Sequence, residues 1–297
     1  MLRPCPASFD AGRARLRIAL TYGYRHRRLP DLSQPRRFTE LVQWRKLHDR
    51  SPGQALLLDK IASKALVAGR LGRDWVVPLV WSAEELPEAC PTGVPVILKA
   101  RHGCNQNRVL RHRPTADQWR SFRRLAANWV SRPYGLWLDE WAYRDVPRGV
   151  LLEPLIEPDG QPPVDYKVFV FGRQATHVQV HTGRGSGRHR WTLHDRGWRQ
   201  LTPGCQTAPA PRSLQAMLAA AEELAGDSDF VRVDFYEFAE KPVFGEFCLY
   251  PGSGLDPFPA DWMDWELGEL WLAAIAARRA PGQVAQPVQA CAGIGAI

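Results

Sequence analysis

Seven charged residues interrupt apolar or loop-like stretches of this chain. Lys60 lies in LLLDKIASK, Lys99 ends VPVILKA, and Glu153 breaks GVLLEPLIE. Asp165 and Lys167 open DYKVFVFG, Asp234 sits in FVRVDFYE, and Glu246 in VFGEFCLYPGSG. Burying such charges is costly unless they are paired or hold a ligand or metal. Lysines followed by two separated carboxylates are the types that a nucleoside triphosphate with magnesium requires. Ammonium groups neutralise phosphate oxygens, and carboxylates hold a hard cation. The chain reads as an ATP-using enzyme.

Strand periodicity sharpens the carboxylate pair. In VRVDFY, alternation puts Val231, Val233 and Phe235 on one face and Arg232, Asp234 and Tyr236 on the other. In FGEFCL, Glu246 is expected to share its face with Phe244, Cys248 and Tyr250. If the two strands are antiparallel neighbours, Asp234 and Glu246 face the same side. The PGSG run that follows demands an unusual backbone beside them. A plain ion pair of Arg232 with either carboxylate is the competing explanation. After Lys99, the loop RHGCNQN can lay backbone N–H groups over phosphates, although Gly103 is its only glycine. His177 and His181 share a strand face without a third ligand nearby, which suits packing or substrate contact better than metal. The stretch TGRGSGRHR, with Arg184, Arg188 and Arg190, is either an anion-binding loop or plain surface.

The elements that would position these groups follow from periodicity. FTELVQWRKLHD has helical apolar spacing, and a second helix is expected over about 56–71, ending near Gly72. WVVPLVW and VPVILKA read as strands, residues 115–130 as a helix, and GVLLEPLIE as a strand followed by the loop PDGQPPV. DYKVFVFG and ATHVQVHTG form a hairpin turning at Gly172. Ser213 is expected to cap a helix to Ala225. VRVDFYEF and PVFGEFCLY pair across a turn at Glu240 and Lys241, and a last helix spans about 262–277. The fold class is α+β: a helical segment (1–75), a first lobe (76–150), a second lobe carrying the metal site (151–277) and a loose tail (278–297), with the ligand cleft between the lobes.

Composition narrows the classes. The 297 residues allow one or two domains with ample apolar core, and the 25 prolines and 24 glycines imply many connections. The net charge of +8 suits nucleotides, phosphorylated substrates, nucleic acid or an anionic membrane face. The arginines are scattered with no single dominant stripe, so nucleic acid is not the expected partner. Six dispersed cysteines without a C-x-x-C pair argue against zinc and disulfides. No signal-like or membrane-spanning apolar run is present, and a cytoplasmic location is expected.

The motifs together resemble the ATP-grasp superfamily, and within it the branch similar to the teichuronopeptide biosynthesis protein TupA. FTELVQWRKLHDR, LLLDKIASK, VILKARHG, LLEPLIE, DYKVFVFG, FVRVDFYE, FGEFCLYPGSG and WELGELW occur in that family's order over residues 36–271. The resemblance implies an ATP-grasp fold, two α+β lobes with ATP and Mg²⁺ between them. It implies phosphate contacts from Lys60, Lys99 and the His102-Gly103 loop. It places Glu153 and the backbone around Leu155 near adenine, Asp165 near ribose, and Lys167 near the transferred phosphate. Asp234 and Glu246 become the magnesium ligands, and Arg184 and Arg190 a clamp on the acceptor's carboxylate or phosphate. The implied activity is ATP-dependent joining of a carboxylate to an amine through an acyl phosphate, in cell-envelope polysaccharide or related metabolite synthesis. A small-molecule or sugar kinase and a non-enzymatic polyanion binder are the alternatives. The sequence departs from the family twice. Asn105 stands where the phosphate loop usually has glycine, and Asn best tolerates a left-handed backbone. Cys248 replaces an Asn metal ligand, so a carbonyl or water fills that place or the metal is held weakly.

Overall fold

A computed structural model describes residues 9–157, 160–183, 189–203 and 209–279. Four helices come first: α1 (Phe9–His26), α2 (Phe38–His48), α3 (Gln54–Leu58) and α4 (Lys60–Leu71). The helix expected over 56–71 is thus two. The break comes at Asp59, whose extended backbone ends α3 while its carboxylate accepts from the amides of Ile61 (2.9 Å) and Ala62 (3.3 Å) to start α4. Lys60 therefore stands at a helix start.

The first sheet holds β1 (Trp81–Ala83), β2 (Val96–Ala100), β3 (Asn107–Leu110) and β4 (Val150–Pro154) in the antiparallel order β1-β4-β2-β3. Helix α5 (Ala116–Val130) has Trp119, Ala126 and Trp129 in one core with Leu98, Leu110, Val150 and Leu152. Two expectations change here. β1 begins only at Trp81, after WVVPL, and β4 belongs to this sheet, so the first lobe extends beyond residue 150.

The second sheet runs β7-β6-β5-β8-β9, antiparallel throughout. Its strands are β5 (Asp165–Phe171), β6 (Gln174–Thr182), β7 (Arg190–Asp195), β8 (Phe230–Phe238) and β9 (Lys241–Cys248). Gly172 and Arg173 turn the β5–β6 hairpin at positive φ (53° and 72°), as expected; the β8–β9 turn falls on Ala239 and Glu240 (49° and 62°), one residue earlier than expected. Helix α6 (Leu214–Ala225) packs Met217, Leu218, Ala221 and Leu224 into this lobe's core. Ser213 occupies its cap position, but the hydroxyl donates to Glu237 (2.7 Å) and makes no cap bond.

The face carrying Lys167 changes character along its length. One half is Phe169, Phe171 and Phe230, covered by Phe38 of α2 and Trp271 of α7 (Asp261–Arg279); the Phe38–Phe230 and Phe230–Trp271 centroids lie 5.1 and 4.6 Å apart. Burying each such ring stabilises by roughly 1.5–3 kcal/mol. The other half is Asp165, Lys167, Arg232 and Asp234. Phe38, Leu41, Val42, Leu58 and Val67 share the second lobe's core, so α2, α3 and α4 of the helical N-terminal segment pack on that lobe. The expected tail from 278 lies, beyond Arg279, outside the described residues.

Candidate active site

Register places the polar groups in rows. Lys167, Asp234 and Glu246 are successive partners across β5, β8 and β9, and Phe169, Arg232 and Cys248 form the adjacent row. Directly opposed residues of antiparallel strands face the same side, so the expected shared face of Asp234 and Glu246 holds. One detail differs. A bulge shifts register after Asp234, so Phe244 pairs with Phe235 and lies fully buried, away from Glu246's face. Gly245 makes the bulge fit, since a Cβ there would stand 3.1 Å from the Asp234 carbonyl oxygen.

Asp234 is the centre of a buried charge cluster. Arg232 grips it through two bonds of 2.7 Å, Nε to Oδ1 and Nη2 to Oδ2, and Lys167 Nζ donates to Oδ2. Lys167 also stands 3.5 Å from Asp165. Burial opposes the charge on Asp234, but the Arg232 and Lys167 cations outweigh it and hold the carboxyl at about 2. The Arg232–Asp234 pair is thus interior and bidentate, unlike the surface pair that periodicity left open. Glu246 is half-buried and makes no ion pair within 4 Å among the described residues. Burial pushes the Cys248 thiol up to about 12, so it offers no thiolate.

A second cluster occupies the first lobe. Glu153 is buried, with Lys99 Nζ 2.7 Å from Oε2 and Lys64 Nζ 3.1 Å from Oε1. Burial opposes its charge, and Lys99 then Lys64 more than offset that. Lys64 escaped the sequence reading, although it lies one turn after Lys60 in the same motif, where helical neighbours share a face. Asp59, besides starting α4, receives Arg101 at 2.8 and 2.5 Å, which ties α4 to the end of β2. Lys60 Nζ donates to the Gly103 carbonyl, and Asn105 adopts φ 57°, the left-handed backbone expected of it.

A cleft of about 1190 Å³ opens beside the Asp234 cluster, and Lys60, Lys64, Lys99 and Glu153 are not among the residues that line it. Lys167, Arg232, Glu246 and Cys248 form one wall, and Cys104 and Asn105 of the loop approach it. Cys104 is buried enough to push its thiol up to about 11, with Glu246, Lys60 and Arg232 within electrostatic reach. The backbone of PGSG beside them is left-handed at three successive residues, Gly252, Ser253 and Gly254 (φ 53°, 56° and 62°). Non-glycine Ser253 is held there by Lys46, which donates to its carbonyl and hydroxyl oxygens, both at 2.7 Å. Glu140, also missed by sequence, lines the same cleft.

Not every expected residue reaches this cleft. His102 is fully buried and its Nε2 meets the Trp129 carbonyl (2.9 Å), so its ring is committed to the first lobe's packing and not to phosphate. Glu153 is enclosed by its lysines, and the Leu155 amide is taken up by the Pro95 carbonyl (3.2 Å). Arg190 begins β7 opposite Thr182; alternation turns it away from the side on which its neighbours His189 and Trp191 line the cleft. Arg184 lies outside the described residues. No group of three or more His, Cys, Asp and Glu suited to a metal occurs among the described residues, at His177 and His181 or elsewhere.

A sequence profile described as TupA-like ATPgrasp matches residues 40–272, most of the chain. The chain belongs to the TupA-like ATPgrasp family. Its helices and two antiparallel sheets are the α+β ATP-grasp fold. Solved structures similar to this TupA-like ATPgrasp chain are distant. D-alanine–D-alanine ligase from Bacillus anthracis, complexed with ATP, is 13% identical with a TM-score of 0.46, covering 77% of this chain and 68% of that one. ATP-grasp ligase PsnB, complexed with a precursor variant, Mg and ADP, is 16% identical with a TM-score of 0.41 over 81% and 66%. N5-carboxyaminoimidazole ribonucleotide synthetase from Thermus thermophilus is 17% identical with a TM-score of 0.40 over 71% and 51%. The chain thus spans about two thirds of the first two and half of the third. No curated protein matches the chain.

Proposed function

We propose that this chain is an ATP-dependent carboxylate–amine ligase. The observation that carries the reading is the row Lys167–Asp234–Glu246, in which Lys167 and Glu246, with Arg232, line the cleft beside the Asn105 loop and Asp234 lies buried between them. Two cations and two carboxylates on one sheet face suit a polyphosphate and its metal, not a lone anion. Lys60 and Lys99 serve the ATP phosphates from the first lobe. Glu153 orients Lys99 and Lys64 through its two oxygens, and the chain around Leu155 borders the purine. Asp165 serves the ribose side and holds Lys167, which neutralises the phosphate in transfer.

Asp234 and Glu246 fit a magnesium ion, which supplies charge neutralisation at the phosphate oxygens when bound. Cys248, kept protonated, does not complete the donor set, so the nucleotide's own oxygens must fill it. To serve, Asp234 must share the carboxylate that Arg232 and Lys167 now occupy. The γ-phosphate passes to the acid's carboxylate oxygen, giving an acyl phosphate and ADP. The amine nitrogen then bonds to the acyl carbon, the C–O bond to phosphate breaks, and the amine loses a proton. The protein's contribution is positioning and charge. A cell-envelope polymer or related metabolite as acceptor is the narrower form of this proposal, carried by the resemblance to TupA.

The test is interception. With ATP, magnesium and pools of amino acids, peptides and sugar acids, hydroxylamine should yield a hydroxamate with stoichiometric ADP. A stable phosphorylated product indifferent to hydroxylamine would make the chain a kinase.

A further inference from the structure

Helix α1 presents an apolar stripe to solvent at the mouth of the cleft. Leu16, Leu20 and Tyr24 follow one another at four-residue steps, so they share one face, and they are 62, 63 and 72% exposed. Leu29 just beyond the helix is 75% exposed. The 3-10 turn at Leu136–Leu138 adds Leu136 and Trp137, 46 and 68% exposed. Arg17 of α1 holds that turn through Asp139 (Nε to Oδ2, 2.8 Å), and Leu20, Tyr24 and Trp137 border the same cleft. Six of the twelve large hydrophobics most exposed among the described residues are therefore gathered here. Scattered exposed leucines need no account; a gathered set marks a contact surface.

Charge indicates what the surface meets. Residues 12–29 hold six arginines (Arg13, Arg15, Arg17, Arg25, Arg27 and Arg28) and no acidic residue. Arg17 pairs with Asp139, Arg25 with Asp256, and Arg28 with Glu40 and Asp264. Arg13 and Arg27 lie within the apolar stripe, three residues before Leu16 and three after Tyr24, and Arg15 is exposed beside it. A second copy related by a two-fold axis would set these arginines against their own counterparts. A surface rich in anions, with an apolar layer beneath, satisfies both components at once. Trp137 suits the boundary between headgroups and acyl chains, where indole rings concentrate.

We propose that the outer face of α1, with the Leu136–Leu138 turn, docks on an anionic lipid bilayer. The apolar stripe enters the headgroup boundary, and Arg13, Arg15 and Arg27 meet lipid phosphates. The proposed attachment is peripheral, and no helix of the described residues is long and apolar enough to cross a membrane. The cleft mouth then opens at the bilayer surface, where a membrane-borne acceptor would enter.

Co-sedimentation with vesicles tests this without nucleotide, so its failure leaves the ligase reading untouched. The full chain should bind phosphatidylglycerol-containing vesicles, and phosphatidylcholine vesicles at least ~10-fold more weakly, because the cationic contribution is lost. The double substitution Leu16→Glu with Leu29→Glu, both outside the cleft lining, should weaken binding at least ~10-fold with unchanged thermal unfolding. Arg13→Gln with Arg27→Gln should weaken it and flatten its salt dependence. No binding to anionic vesicles at low salt would overturn the proposal, and so would full binding by the Leu16/Leu29 variant. Light scattering showing a dimer that this variant dissociates would assign the stripe to a second copy instead.

Discussion

Asp234 and Glu246 share one role in the proposed chemistry but stand in different surroundings, so removing each charge should have separable consequences. Asp234→Asn keeps the shape and removes the anion between Arg232 and Lys167, leaving two cations confined in the interior. Two unit charges about 4 Å apart repel by about 4 kcal/mol at an effective dielectric of 20, and breaking buried pairs costs roughly 3–5 kcal/mol. Asp165, 3.5 Å from Lys167, retains part of the compensation, so about 3 kcal/mol is expected. In a domain of this size that lowers Tm by roughly 6–12 °C. Glu246→Gln disturbs no ion pair within 4 Å among the described residues and should alter stability by about 0.5 kcal/mol or less. Both variants should lose magnesium-dependent ATP affinity and cut turnover at least ~100-fold. Calorimetric unfolding and titration with ATP, with and without magnesium, separate the effects. Equal melting of Asp234→Asn and wild type would refute the charge-cluster argument, and wild-type magnesium-dependent binding by Glu246→Gln would refute the metal assignment.

Lys99 and His177 each carry a further expected outcome. Lys99→Ala should weaken ATP binding by roughly 2 kcal/mol, about 30-fold, by removing a charge-assisted phosphate contact, while Lys64 stays paired with Glu153; unchanged affinity by titration calorimetry would confine Lys99 to holding Glu153. His177 is almost fully buried, and burial depresses its ring to about 4 from 6.5. The unfolded chain therefore binds this proton first, so the stability present above pH ~6.5 falls as pH drops toward 4, by at most about 3 kcal/mol; denaturant unfolding at several pH values should show a flatter dependence in His177→Gln.

Much of the site was legible because strands repeat every two residues. Alternation alone put Arg232 and Asp234 together, and the tolerance of Asn for left-handed backbone anticipated Asn105. Long-range pairing was not legible. Nothing local reveals that Glu153 sits between Lys64 and Lys99, since those contacts join a helix to two strands. The split at Asp59 was overlooked because its carboxylate reads as an ordinary helical residue until the amides it receives are known. Arg190 was misplaced since position after a hairpin does not state which side a residue takes. What the helices of residues 1–75 pack against was hidden for a related reason: helical periodicity shows that Phe38 is buried, not that Phe230 and Trp271 bury it.

The bulge at Gly245 divides β9 into two stretches of opposite phase. Before it, Phe244 points to the packed interior; after it, Glu246 points to the cleft. Were the strand to run through Gly245 without the bulge, alternation would put Glu246 on the inward face of Phe244 and turn Phe247 toward the cleft, whereas deleting Gly245 itself would leave Glu246 next to Phe244 and still opposite Asp234. Gly245 therefore acts as a phase setter: substitutions before it are read as changes in packing, and those after it as changes in chemistry. An insertion or deletion elsewhere in the eight residues of β9, which leaves the bulge in place, is then more damaging than most point changes, because it exchanges the two readings.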